Sequence, residues 1–381
     1  MRVLMVCPSY PPQEVTCGVG DHTRCLVEEL ARQGEDVAVL CSSQYRGTPG
    51  GPVPVVPIFP RWTLDQALRL SFSSAVHRGD ILHLQYTPDL YGQRAGFNLV
   101  PLLARLRRLG PATVVTFHTL TGGSPWSRVW AVLLLASAHH CISASEEVTS
   151  MVRRRAPRLL SRLREIPIGA NIPVVQADGA AQEEGHRLLG VPQGVPLLVH
   201  FGLVYPGKGL ETLFAALPAL LCLQPSMRLV IVGDTRPEAG QYRANLEAMA
   251  KRLGVAPTIL WAGRRSVDEV SLILQTANLL VVPYDDGVSI RRSSLIVGLA
   301  HGLPTVSTIS TLPSAYLMDG ENIALVPPHD PRALTRRIAS LLAAPDEAAR
   351  LGQGARKLAE RFSWPMIARE TRALYAQVLR R

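Results

Sequence analysis

A chain of 381 residues, 47% apolar and 18% charged, has the material for a large core and exceeds one compact domain of ordinary size, which excludes global disorder and favours two domains. Forty basic against thirty acidic residues leave a net charge of +10, but only Lys208, Lys251 and Lys357 are lysines, so arginine carries the excess. That balance suits phosphates or an anionic membrane surface. With no zinc finger, RNP-type aromatic motif or basic zipper, nucleic acid is not an expected partner.

The start "MRVLMVCPSYPP" has one arginine and a short apolar run ending in prolines, unlike a secretory signal. The longest apolar run, Trp130 to Ala138, is far below the roughly 20 residues that span a bilayer. Cys7, Cys17, Cys25, Cys41, Cys141 and Cys222 form no CxxC pair and are expected to be reduced, in a cytoplasmic protein that is at most peripheral on the inner face of the membrane. His139, His140 and Cys141 are adjacent, but neighbours on a strand point to opposite faces, so no metal is expected there.

Along the first half, "RVLMVC", "DVAVLC", "DILHLQ", "ATVVTFH", "HHCIS" and "LREIPIG" read as buried strands. They alternate with helical segments at "VGDHTRCLVEELARQ", "FNLVPLLARLRRLG", near 126 to 137, and from Ser145. The rhythm restarts at "VPLLVHFG" and runs through "RLVIVGD", "TILWAG", "LLVVPY", "LPTVST" and "IALVPP". Ser266 and Glu269 form a capping box, Gly34 closes the first helix, and helices follow near 331, at 346 to 361 and at 364 to 381. The expected fold is α/β, with two doubly wound, Rossmann-like parallel-sheet domains facing a central cleft. The expected segments are 1–175, a Gly/Pro-rich linker at 176–195, a second domain at 196–362, and a last helix at 363–381.

In such sheets ligands bind beyond the carboxyl ends of the strands, where loop amides and helix N-termini point at anions. Four loops qualify. In "PSYPPQEVTCGVGDH", Gly18 and Gly20 precede a helix, a pattern that fits close ligand approach or simply a tight turn, and lacks the third glycine of a dinucleotide fingerprint. In "HFGLVYPGKGLETL", a strand ends at Gly202 and Lys208 stands at a helix start, where a lone ammonium opposes the helix dipole unless phosphate is its partner. In "PYDDGVSIRRSSL", Asp285 and Asp286 are followed by Arg291 and Arg292, and Ser293 or Ser294 is placed to cap the next helix; an anion site and a local Asp-Arg salt-bridge loop both fit. In "TFHTLTGGS", His118 stands at a strand end before Gly122 and Gly123, suited to a sugar hydroxyl, a phosphate or a structural role.

Together, "PSYPPQEVTCGVGDHTRCLVEELARQGEDVAVL", "VVTFHT", "ISASEE", "IPIGANIP", "FGLVYPGKGLETL", "VIVGD" and "PYDDGVSIRRSSLIVGLAHGLPTVST" resemble family 4 glycosyltransferases of the GT-B fold, in the family's order over nearly the whole chain. The resemblance implies retaining, metal-independent transfer from a nucleotide-sugar donor on the C-terminal domain to an acceptor held mainly by the N-terminal one. No cofactor is implied, and the last helix is expected to cross back onto the first domain. Residue by residue, it puts Gly18 and Gly20 beside the reacting centre and His118 near the transferred sugar. Lys208 falls on the donor phosphate, Gly263 and Arg264 near the base, and Asp285 and Asp286 near the first acidic residue of the paired-glutamate motif.

Two positions depart from the pattern. Leu203 stands where the family often has an arginine, and Val297 replaces the second glutamate, usually a ribose ligand. We therefore expect Arg291 or Arg292 to supply the positive charge absent at Leu203, with the leaving phosphate oxygen taking the acceptor proton in a front-face displacement. The expected catalytic set is His118, Lys208, Asp286 and Arg291. Gly18, Gly20, Gly202, Gly263, Arg264, Asp285, Arg292, Ser293 and Ser294 bind donor alongside Lys208 and Arg291. The acceptor is expected to be a glycan, a lipid-linked group or a small molecule. The basic, leucine-interleaved "RLRRLG" and "MVRRRAPRLLSRLREI" suit an anionic bilayer or a solvated helix face equally. A sugar-nucleotide epimerase or hydrolase, and a non-catalytic binding subunit, are the alternatives.

Overall fold

The computed structural model describes every residue except 13–17, 48–50, 73–78, 89, 92–98, 107–109, 121–124, 176–179, 313 and 381. The chain forms two compact units, Met1–Asn171 with Phe362–Arg381, and Ile172–Arg361.

In the first unit, strands β1 (Arg2–Val6), β2 (Asp36–Ser42), β3 (Val55–Phe59), β4 (Ile81–Tyr86), β5 (Ala112–Phe117), β6 (His140–Ser143) and β7 (Leu163–Glu165) form one parallel sheet in the order β3-β2-β1-β4-β5-β6-β7. The apolar runs are continuous because both faces are covered. Leu4, Val6, Leu82, Leu84, Val115 and Phe117 join one core, while Val3, Met5, Ile81 and Val114 join the other. Strand β3 lies at the edge and is largely solvent-facing, and the helix Leu64–Phe72 follows it; the sequence reading contained neither.

The final helix, Trp364–Leu379, belongs to this first unit. Its Ile367, Leu374, Tyr375 and Val378 are buried in the second of the two cores, each contributing about 1.5–3 kcal/mol through the surface it removes from water. Polar contacts set its register. Arg372 Nε donates to Glu35 Oε1 at 2.6 Å, the Trp364 indole donates to the Ala170 carbonyl at 2.6 Å, and the Tyr375 hydroxyl meets His83 Nδ1 at 2.5 Å.

In the second unit, β8 (Leu197–Phe201), β9 (Arg228–Val232), β10 (Ile259–Gly263), β11 (Leu279–Val282), β12 (Thr305–Thr308) and β13 (Ala324–Val326) form a parallel sheet in the order β10-β9-β8-β11-β12-β13. The capping box is present: Ser266 Oγ accepts from the Glu269 amide at 3.3 Å, and Glu269 Oε2 accepts from the Ser266 amide at 2.9 Å. Part of the stretch read as linker is a helix, Ala181–Leu189, packed on Val267–Thr276, and Thr276 Oγ1 donates to the Gln182 carbonyl at 3.3 Å. Its small residues, Ala181 and Gly185, are the buried ones, which is why its composition resembles a linker.

Candidate active site

Strand order reverses between β8 and β11, the place at the carboxyl edge of a doubly wound sheet where ligands bind. Lys208 lies on the loop after β8 and Asp285 to Arg292 on the loop after β11. Gly209 ties the loops together. It has φ +68, and a Cβ there would overlap the Pro283 carbonyl oxygen, so only glycine fits between Lys208 and the helix Leu210–Leu223. The Asp285 amide adds a bond to the Gly207 carbonyl at 3.3 Å.

Lys208 is buried, at 6% exposure, with its ammonium 4.8 Å from the Tyr205 ring centroid and 5.3 Å from that of Tyr284. Among the described residues no carboxylate pairs with it. Burial foremost, then the guanidiniums of Arg292 and Arg236, pull its pKa down to about 7, with Asp286 acting in the opposite direction. A buried ammonium beside cations and aromatic faces has no directly paired anion among the described residues, and a phosphate oxygen would supply one.

Asp286 holds both arginines. Arg291 Nη2 donates to Oδ2 at 2.8 Å, and Arg292 Nη2 donates to Oδ1. Arg292 stacks on Tyr284 at 4.3 Å, and its buried Nε has no hydrogen-bond partner among the described residues. The two aspartates separate: Asp285 turns to His329 Nδ1 at 3.5 Å, and burial keeps its carboxyl above the usual range. The serines do not cap. The helix Ser293–Ala300 has Arg292 at its cap position and no side-chain cap; Ser293 and Ser294 lie inside its first turn, and Ser294 Oγ meets the Tyr284 hydroxyl at 2.7 Å.

Gly202 ends β8 beside Ser294 and Lys208, its amide bonded to the Val232 carbonyl at 2.9 Å. Gly263 ends β10 and bonds through its carbonyl to the Gly233 amide at 2.8 Å, with Arg264 exposed next to it. Leu203 is half-buried and Val297 is fully buried, so the position where the resemblance implies a ribose ligand presents nothing to solvent here.

In the first unit, His118 follows β5, and its Nε2 lies 2.7 Å from Gln85 Oε1 on β4. The edge of His22 packs on His118 at 4.8 Å between centroids, and Trp364 stands 5.3 Å from His22. Burial holds His118 well below the usual imidazole value and lowers His22 to about 4, so both rings are neutral near pH 7. Gly20 lies in the first turn of the helix Gly18–Arg32, where a Cβ would overlap the Ser9 carbonyl oxygen, whereas Gly18 has open space around it. Gly122 and Gly123 lie outside the described residues. The structure adds Gln85, His22, Trp364, Tyr205 and Tyr284 to the residues expected from the sequence. Gln85, His22, Trp364 and Tyr284 make their contacts with residues distant in sequence, which no local motif marks, whereas Tyr205 stands three residues from Lys208 in the same loop.

Two family models match in tandem: Glycosyltransferase Family 4 over residues 16–172 and Glycosyl transferases group 1 over residues 181–358. The chain belongs to glycosyltransferase family 4. It is 26% identical to a D-inositol 3-phosphate glycosyltransferase of Xylanimonas cellulosilytica, over 93% of this chain and 90% of that one. It is 27% identical to a phosphatidyl-myo-inositol mannosyltransferase of Mycobacterium leprae, over 99% and 97%. Its fold matches sucrose-phosphate synthase from Thermosynechococcus elongatus (TM-score 0.78, 20% identity, 99% and 98% covered). Anabaena HepE, solved with UDP and glucose, matches as well (TM-score 0.78, 16% identity, 99% and 100% covered). These likenesses show GT-B architecture, and the family membership makes the chain a glycosyltransferase. No helix among the described residues is long and apolar enough to cross a membrane.

Proposed function

We propose that the protein transfers a sugar, with retention and without a metal ion, from a nucleoside-diphosphate donor held by the second unit to an acceptor hydroxyl. The observation that carries this reading is the buried ammonium of Lys208 at the strand-order switch, beside Arg291 and Arg292 and with no carboxylate paired to it among the described residues. These cations take the charge that develops on the departing diphosphate, and the backbone amides at the start of Ser293–Ala300 add to them. Asp286 contributes by fixing the two guanidiniums. Gly202, Gly263 and Arg264 stand at the same carboxyl edge, where the base approaches.

In the reaction the C1–O bond to the diphosphate breaks as a bond forms from C1 to the acceptor oxygen on the same face. The acceptor proton passes to the departing phosphate oxygen, so charge and atoms balance without an enzymic nucleophile. Neutral His118, its Nε2–H directed to Gln85, offers Nδ1 as an acceptor for a sugar hydroxyl and so orients the reacting ring.

The names of the two full-length relatives favour a hydroxyl of an inositol-type polyol, free as its phosphate or lipid-bound. Arg153, Arg154, Arg155 and Arg158 are exposed while Leu159 and Leu160 pack on the core, so attraction of this segment to anionic lipid is electrostatic and falls with salt. Residues 107–109 of the other basic segment lie outside the described residues. The reading is tested by incubating UDP- and GDP-sugars with inositol phosphate and phosphatidylinositol in EDTA and determining the product anomer by NMR. Retained configuration at a rate unaffected by EDTA is expected; an inverted product, or a rate restored only by a divalent metal, overturns it.

A further inference from the structure

Leu203 places no cation on the loop after β8, and the extension of the adjacent strand brings one beside that loop. Beyond Gly202 and Gly233 the backbones of β8 and β9 stay paired. The Val204 amide donates to the Asp234 carbonyl at 2.8 Å, Val204 and Thr235 form a parallel bridge, and the Arg236 amide donates to the Val204 carbonyl at 3.3 Å. This extension carries Arg236 over the Tyr205 ring, with its guanidinium carbon 4.1 Å from the centroid. The ring that Arg236 covers is also the one 4.8 Å from the Lys208 ammonium.

The side chain of Arg236 is 45% exposed, and among the described residues one carboxylate pairs with it. Its ion-pair partner, Glu238, stands 3.8 Å away and shares no hydrogen bond with it. Arg291 and Arg292, by contrast, are both engaged by Asp286. Like charges repel, so two cations gathered on one tyrosine are arranged at a cost that an anion between them would offset.

We propose that Arg236 is a further donor-diphosphate ligand beside Lys208, Arg291 and Arg292, and that it, rather than Arg291 or Arg292, stands in for the cation missing at Leu203. A planar guanidinium stacked on an aromatic ring is held in one orientation and presents its N–H edge to phosphate oxygens. The inference rests on the nucleoside-diphosphate reading above, and the test separates the two.

Affinity for UDP and GDP is measured by calorimetry at low salt in EDTA for the wild type, Arg236→Ala, and Arg236→Ala combined with Leu203→Arg. The expected result is that whichever nucleotide binds the wild type binds Arg236→Ala about tenfold more weakly and recovers in the double variant. Recovery from a charge placed on a different strand separates diphosphate contact from a structural effect. Unchanged affinity in Arg236→Ala, or a loss that Leu203→Arg does not recover, overturns the assignment to Arg236 and leaves the donor reading intact. A folded wild type that binds neither nucleotide overturns both.

Discussion

His118 Nε2 lies 2.7 Å from Gln85 Oε1, and Gln85 Nε2 in turn donates to the Met5 thioether at 3.1 Å. A thioether can only accept, so this contact fixes the amide orientation, and the amide fixes the imidazole tautomer. Gln85→Leu is expected to lower kcat/KM about 10- to 100-fold with little change in nucleoside-diphosphate affinity. Steady-state kinetics beside calorimetry decides it; a variant with unaltered kcat/KM contradicts this positioning role.

Lys208 titrates near 7 before ligand binds, and a bound diphosphate favours its charged form. Nucleotide affinity is therefore expected to fall above pH 7, approaching a factor of ten per pH unit, with proton uptake on binding at pH 8. Calorimetry in buffers of different ionisation enthalpy reads the proton count directly. Lys208→Arg, charged throughout, is expected to flatten the profile; a steep profile in that variant points to another group.

His22, His83 and His200 are buried and neutral, lowered chiefly by burial to about 4, 3 and 3, and His118 is lowered in the same direction. Below about pH 6.5 the unfolded chain binds protons that the native state refuses, so native stability decreases as pH falls from there toward these values. Each histidine contributes a slope of up to about 1.4 kcal/mol per pH unit. Denaturant unfolding between pH 7.5 and 4.5 tests this, and a flat profile contradicts the buried, neutral assignment.

The two glycines that open the first helix have different jobs. Gly20→Ala is expected to cost about 1–3 kcal/mol, because its Cβ overlaps the Ser9 carbonyl oxygen. Gly18→Ala meets nothing within 4 Å and is expected to leave stability within about 0.5 kcal/mol. Any loss of turnover in Gly18→Ala then reports on substrate approach. Equal destabilisation by the two variants would refute the distinction.

What the sequence disclosed follows from which interactions are local. Strands such as β4 and β9 are legible because both faces are buried, and Ser266 with Glu269 marks a helix start within four residues. Strand β3 is obscured by Pro54 and Pro57 and by its exposure at the sheet edge. Lys208 was legible from its rarity and its place before a helix. Its aromatic surroundings and the choice of Asp286 over Asp285 as the arginine anchor depend on how two loops meet at Gly209 and Pro283. Ser294 resembles a cap because serine is common at helix starts, but the helix begins one residue earlier, with Arg292 at the cap position, and Ser294 Oγ meets the buried Tyr284 hydroxyl.

The most direct measurement is the binding of UDP and GDP, in EDTA at pH 7, to the wild type and to Lys208→Met, with folding verified by circular dichroism. The account predicts metal-free binding of at least one nucleotide by the wild type and a loss of at least tenfold in the variant. Equal affinity in the two proteins, or binding that appears only when a divalent metal is added, would contradict it.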